Sequence, residues 1–373
     1  MATQDARSAG QSSSQSDAPS AGSGIADRLR AEVDRAIQRS LKGLDYLGSP
    51  APAVGITPKT LLHRDGTLSL YHYEPLEREV YRVPILFVMA TTNKAFVFDM
   101  APGQSMIEFL LKRGHDIYVM DWNAPTLAER HLTFEDYVLG FIPDCIRRVQ
   151  EDSGVDDVSL VGYCFGGVLS VMYMALFPDG PVRNLACFTT PINFQEMKLF
   201  HQWTRADHFD LDRLVEKLGI IPPEMIVAGF EMLRPASVVA TQIRLWDNLW
   251  NDEYVAAYRR MERWGNETLP LAGEYFRQTI RELMQKNALY DGTLEIGGRR
   301  VDIGRIKVPL LHVMAKYDHI VPPACGRPLV ELVGSTDKEE VIVPGGHVSI
   351  VAGANAIRRM WPKLNQWLER RST

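Results

Sequence analysis

The segment that most narrows the folds open to this chain is Gly162-Tyr163-Cys164-Phe165-Gly166-Gly167. It follows the apolar run Val158-Ser159-Leu160-Val161 and precedes an apolar stretch from Val168 through Phe177. A short strand, a cramped turn and an immediate helix define a G-x-nucleophile-x-G elbow, here with Cys where Ser is usual. Glycines flanking the nucleophile remove Cβ atoms that collide in so sharp a turn. The Phe165 amide then points to where an oxyanion forms, and the helix start favours a thiolate. Read alone, the motif also fits a small buried residue in a Gly-rich turn; its position between strand and helix favours a nucleophile. Cys145 within a helix, Cys187 at the end of an apolar strand and Cys325 after Pro322-Pro323 read as structural.

The surrounding pattern is one of alternating strands and helices. Leu68 to Tyr73, Tyr81 to Val83, Pro84 to Met89, Asp116 to Met120, Pro309 to Met314 and Val341 to Val343 read as strands. Met106 to Lys112 and Phe134 to Glu151 read as helices. Near-continuous apolar strands joined by helices imply a mostly parallel sheet covered on both faces, with function at the carboxyl ends of its strands. Between about 193 and 305 the strand rhythm stops and Trp203, Trp246, Trp250 and Trp264 appear. This stretch is expected to be a helical cap insertion; its Trp-rich part could line an acyl tunnel or be core, core being the simpler reading for most of it. The remaining division is a disordered tail over 1–24, an amphipathic helix over 25–47, and an α/β core over 48–192 and 306–373. Ile25, Leu29, Val33, Ile37, Leu41 and Leu44 recur at helical spacing among charged residues. Packing on its own domain is the simpler reading of that helix; a docking surface for a partner or an apolar particle is the other.

An elbow of this kind calls for an acid and then a His downstream. Asp318 stands just past the strand ending near Met314, and His347 just past the strand ending at Val343, in Pro344-Gly345-Gly346-His347. The order Cys164, Asp318, His347 at three strand ends is far more specific than any one of them. His347 is expected to take the thiol proton while Asp318 orients it. Phe165 and the loop after Met89, near Thr92, are expected to supply the oxyanion amides. His319 is a possible auxiliary base, His312 a satisfied core residue, and Asp99, Asp121 and Asp302 weaker acids. A Cys nucleophile forms an acyl thioester, so exchange with a thioester substrate is nearly isoenergetic and the intermediate can still acylate an alcohol. That favours acyl transfer over ester hydrolysis.

The composition is ordinary: 46% hydrophobic and 23% charged residues, with 41 Lys and Arg against 46 Asp and Glu for a net charge of −5. Nothing in that balance suggests nucleic-acid binding. Four Cys without a C-x-x-C pair suggest neither a disulfide framework nor a metal site, and fit a reducing cytoplasm. No apolar run approaches a membrane span.

The elbow segment resembles the lipase-like box of polyhydroxyalkanoate synthases. Tyr317-Asp318-His319-Ile320-Val321-Pro322-Pro323, Pro344-Gly345-Gly346-His347, Thr92-Asn93-Lys94 with Asp99, and Asp116 through Trp122 are similar to segments of that family. So are Leu249 to Tyr254 and Gly273 to Gln278, and the Cys-to-Asp gap of 154 and Asp-to-His gap of 29 agree with it. Ala90-Thr91-Thr92 and Asp121-Trp122-Asn123 depart from its usual residues. The resemblance is to the short catalytic subunits of the two-component classes III and IV. It implies an α/β-hydrolase fold and polymerisation of 3-hydroxyacyl-CoA, most simply 3-hydroxybutyryl-CoA, with release of CoA and no cofactor. Cys164 would carry the acyl chain, and Asp318 with His347 would deprotonate the attacking 3-hydroxyl. It further implies a noncatalytic partner subunit, a homodimeric catalytic core and a polymer granule in the cytoplasm. The alternatives are a thiol-dependent ester or lactone hydrolase of the same fold, and a scaffold protein that has lost catalysis.

Overall fold

A computed structural model describes residues 21–372. Eight strands form the central sheet: β1 (Lys59–Asp65), β2 (Leu68–Tyr73), β3 (Ile85–Val88), β4 (Ile117–Trp122), β5 (Val158–Tyr163), β6 (Val182–Phe188), β7 (Leu310–Ala315) and β8 (Lys338–Val343), in the order β1-β2-β4-β3-β5-β6-β7-β8. β1 pairs antiparallel with β2, and β2 antiparallel with β4; the other pairings are parallel. Every residue of β3, β4, β5 and β7 is buried, as expected for central strands covered on both faces. The principal helices are α1 (Ala21–Gly48), α2 (Met106–Leu111), α3 (Ile142–Ser153), α4 (Phe165–Leu176), α5 (Pro235–Asn248), α6 (Asp252–Asn266) and α7 (Trp361–Glu369). α2 and α7 meet through Phe109 and Trp361, whose rings lie 5.5 Å apart. α4 packs against β3, β5 and β6.

Several expectations change. Tyr81 to Val83 is not a strand: it crosses ahead of Pro84, with the Tyr81 amide donating to Gly114 O at 2.7 Å and the Val83 amide to Ser372 O at 3.2 Å. The helix expected over Phe134 to Glu151 opens with a π turn, Asp136–Phe141, before α3. Pro143 has no N–H to give to the Leu139 carbonyl, and a wider turn accommodates that gap. Of the tail expected over 1–24, residues 1–20 lie outside the described residues, and Ala21 to Gly24 belong to α1. The stretch from 193 to 305 lies between β6 and β7 and is mainly helical, with two short strand pairs. Of its tryptophans only Trp264 is buried.

The described chain divides into two compact units. The residues up to Pro50 form one with Gln242–Val255; Ala51–Thr241 and Ala256 onward form the other, which holds the sheet. Among the described residues no helix is long and apolar enough to cross a membrane.

Candidate active site

Cys164 connects β5 to α4 with φ 52° and ψ −119°, a backbone conformation that costs a non-glycine residue on the order of 1–3 kcal/mol. The neighbouring glycines make it attainable. A Cβ on Gly166 would stand 2.1 Å from Val88 O, and one on Gly167 would stand 1.9 Å from Thr190 Oγ1. α4 therefore begins pressed against the end of β3 and the segment after β6, and a Cβ on Gly162 of β5 would stand 2.4 Å from Gly167 Cα. The Cys164 amide donates to Phe188 O at 2.8 Å, tying the elbow to β6. Phe165 is the first residue of α4, so its amide has no acceptor within the helix.

Asp318 follows β7 and His347 follows β8. One carboxylate oxygen of Asp318 accepts the amides of Ile320 at 2.9 Å and Val321 at 2.8 Å. The other lies 2.7 Å from His347 Nδ1. Both side chains are buried. Cys164 stands close enough to His347 to act on its protonation, so the structure brings thiol, imidazole and carboxylate together. Burial pushes the imidazole towards its neutral form, but the hydrogen-bonded Asp318 carboxylate and the nearby Cys164 outweigh it and raise His347 to about 10. The other thiols differ in kind. Cys145, Cys187 and Cys325 are buried and pushed up by desolvation, Cys187 to about 12.

His319 is exposed beside these groups, and burial chiefly, aided by nearby Arg234, holds its imidazole below the ordinary value. His312 is wholly buried in β7 with neither ring nitrogen hydrogen-bonded among the described residues, which corrects the expectation of a satisfied core histidine. Asp99 and Asp121 serve loops instead: Asp99 accepts from Thr57 N and Oγ1, and Asp121 from the Ala95 amide.

Thr91, Thr92, Cys164 and Phe165 together line a cavity of about 500 Å³. Its walls are overwhelmingly apolar, from Phe194, Phe200, Trp203, Met225, Phe230 and Phe276 of the insertion. The loop carrying Thr92 is held at many points. Trp122 Nε1 donates to Met89 O at 2.8 Å, Trp264 Nε1 to Lys94 O at 2.9 Å, and the Leu269 amide to Thr92 O at 2.7 Å. The Lys94 ammonium lies 2.6 Å from the Asp121 carboxylate, and Thr91 Oγ1 donates to Tyr275 OH at 3.1 Å. Trp264, Leu269 and Tyr275 belong to the insertion, so the insertion shapes both the cavity and the loop beside the thiol. These anchors were not read from the sequence as site residues, because their partners lie far away in the chain.

The strand order and the elbow at the end of β5 define a protein of the α/β-hydrolase class. A sequence profile described as alpha/beta hydrolase fold matches residues 97–354. A soluble variant of monoglyceride lipase from Saccharomyces cerevisiae, solved with a substrate analogue, shares the fold with a TM-score of 0.55 over 87% of this chain and 100% of that one, at 14% identity. A second profile, for the N-terminus of poly-beta-hydroxybutyrate polymerase (PhaC), matches residues 51–110. The poly(3-hydroxyalkanoate) polymerase subunit PhaC of Allochromatium vinosum is 36% identical over 350 residues, 92% of this chain and 98% of that protein. Its counterpart in Synechocystis is 30% identical over 89% of each chain. That of Haloferax mediterranei is 34% identical over 86% of this chain, which spans 65% of that protein's length. The chain belongs to the poly(3-hydroxyalkanoate) polymerase PhaC family.

Proposed function

We propose that the protein polymerises 3-hydroxyacyl-CoA, with 3-hydroxybutyryl-CoA as the simplest substrate, into a polyhydroxyalkanoate polyester. Family membership makes it an acyltransferase; the chemistry of the site supports the rest. His347 accepts the Cys164 proton, and the thiolate attacks the thioester carbonyl. The amides of Phe165 and Thr92 stabilise the oxyanion. The intermediate expels CoA, whose sulfur takes the proton back from His347, leaving an acyl group on Cys164. His347, steadied by Asp318, then removes the proton of a 3-hydroxyl group. That oxygen attacks the acyl thioester, an ester bond forms, and the Cys164 sulfur leaves. Each cycle lengthens the chain by one residue and releases one CoA. No cofactor enters the cycle, and His319 is an auxiliary at its rim.

The observation that carries this reading is a thiol, rather than a hydroxyl, opening into an apolar cavity next to an imidazole–carboxylate pair. A cavity so poor in polar groups favours an acyl chain over water, which suits transfer better than hydrolysis. By family resemblance the protein works as a homodimeric catalytic subunit with a noncatalytic partner, on polymer granules in the cytoplasm. The test is to supply 3-hydroxybutyryl-CoA to the chain alone and with its partner, following thiol release and insoluble polymer together. Polymer is expected, and Cys164→Ala should abolish it in a folded protein. Soluble 3-hydroxybutyrate as the sole product would instead identify a thiol-dependent hydrolase.

A further inference from the structure

The helix Pro223–Met232 is mostly apolar, yet none of its residues is buried. Met225, Ile226, Gly229 and Phe230 instead line the cavity into which Cys164 opens. Gly229 stands inside that helix, where glycine is less favourable than alanine. Packing does not call for a glycine there. A Cβ would meet only Phe200 Cε1, at 3.5 Å, an ordinary contact. Nor does the backbone at Gly229 take a left-handed conformation. What the glycine leaves is room, beside an aromatic cluster in which the Phe200 ring lies 5.8 Å from both Trp203 and Phe230, edge to face.

The chemistry of the cavity wall selects what fills this room. No charged side chain lines the cavity among the described residues. Its four threonines all donate to the protein itself: Thr91 to Tyr275 OH at 3.1 Å, Thr92 to Asn93 Oδ1 at 3.0 Å, Thr204 to Phe200 O at 2.8 Å and Thr279 to Tyr275 O at 2.9 Å. Besides these, only Tyr275 and Trp203 carry an O–H or N–H in their side chains. A polyester strand presents an ester group in every unit, and burying those oxygens away from donors is unfavourable. A hydrocarbon tail needs no donor and gains by leaving water. Size points the same way. At roughly 30 Å³ for each non-hydrogen atom, a water molecule's share of its liquid, about 500 Å³ holds on the order of fifteen such atoms. That is far more than a 3-hydroxybutyryl group brings, whose side chain is a single methyl.

We propose that the space beside Gly229 seats the alkyl side chain of a 3-hydroxyacyl unit longer than butyryl, and that this glycine sets the length accepted. The proposal rests on the acyl-transfer function above. The experiment compares kcat/KM for 3-hydroxyoctanoyl-CoA and 3-hydroxybutyryl-CoA, each read as initial CoA release by the full chain. The wild-type ratio of the longer to the shorter substrate should exceed about one tenth, and Gly229→Leu, which fills the space, should lower it at least about tenfold. Both substrates meet the same preparation, so a partly unfolded variant leaves the ratio unmoved. Gly229→Ala should lower it less than Gly229→Leu. A second measurement needs neither a variant nor turnover: by calorimetry the wild type should bind the thioether S-octyl-CoA at least about tenfold more tightly than S-butyl-CoA. A wild-type ratio below about one tenth, or one that Gly229→Leu lowers less than about tenfold, would overturn the proposal. So would thioethers that differ by less than that. Failure of the polymerase reading is visible separately, as soluble free acid or no product from both substrates, whatever the two thioethers do.

Discussion

Asp318→Asn keeps the size of the side chain and removes its charge. Its Oδ1 can still accept the Ile320 and Val321 amides, at 2.9 and 2.8 Å in the wild type. The atom 2.7 Å from His347 Nδ1 would then be an amide nitrogen, which donates where the carboxylate accepted. That selects the imidazole tautomer with its proton on Nε2, the nitrogen that must receive the thiol proton. The charge effect acts in the same direction. His347 is raised from 6.5 to about 10 against the opposing pull of burial, a preference for the imidazolium on the order of 5 kcal/mol. Cys164 supplies part of it. Losing the orienting carboxylate and its charge predicts a fall in kcat of roughly two to three powers of ten. With the carboxylate gone, the foremost opposition to burial is lost and the imidazole falls from its raised value. The assay is loss of thioester absorbance from 3-hydroxybutyryl-CoA between pH 5 and about 11, a range that brackets the ordinary and raised imidazole values. The wild type should keep its activity until the alkaline limb near 10, whereas the variant should lose that limb along with its rate. A variant within about threefold of wild type with an unmoved alkaline limb would refute the assignment of Asp318.

Stability should follow the same imidazole. Because His347 lies above its unfolded value, its contribution is complete below about pH 6.5 and is lost as pH rises through about 10; melting temperature should decline across that window, and less so in Asp318→Asn. His312 has the opposite sign. Burial depresses it to about 3, so its contribution is present above pH 6.5 and lost as pH falls, and His312→Leu should flatten the acid limb of a thermal melt. Gly166→Ala would drive a methyl into Val88 O and should cost several kcal/mol, on the order of 3 or more, read as a lowered denaturation midpoint or insoluble expression. Tyr275→Phe removes the acceptor of the Thr91 hydroxyl, and should lower kcat by about two- to tenfold with little change in KM, as expected for a looser oxyanion loop.

What the sequence disclosed follows from how far each feature reaches along the chain. The elbow is six consecutive residues whose sterics are local, so strand, turn and helix were readable together. Asp318 and His347 were readable because each directly follows an apolar strand and their order is set by topology. The anchors of the Thr92 loop were not, since Trp264, Leu269 and Tyr275 come to it from the insertion, about 170–190 residues along the chain from the loop. The spacing of Leu29, Val33, Ile37 and Leu41 revealed two faces on α1 but not which one turns inward. In the structure Arg35, Arg39 and Lys42 meet Trp250, Asp247 and Asp252 while those four apolar side chains are exposed. Likewise Tyr81 and Val83, alternating about Arg82, suggested a strand, while the segment lies outside the sheet with its amides given to Gly114 and Ser372 carbonyls.

The most direct measurement is intact-protein and peptide mass spectrometry of the chain quenched in acid during turnover of 3-hydroxybutyryl-CoA. A covalent acyl group in thioester linkage on the peptide carrying Cys164, growing by whole 3-hydroxybutyryl residues and absent from Cys164→Ala, is the expected result. Continued CoA release with Cys164 unmodified, or with the acyl group on another residue, would contradict the account.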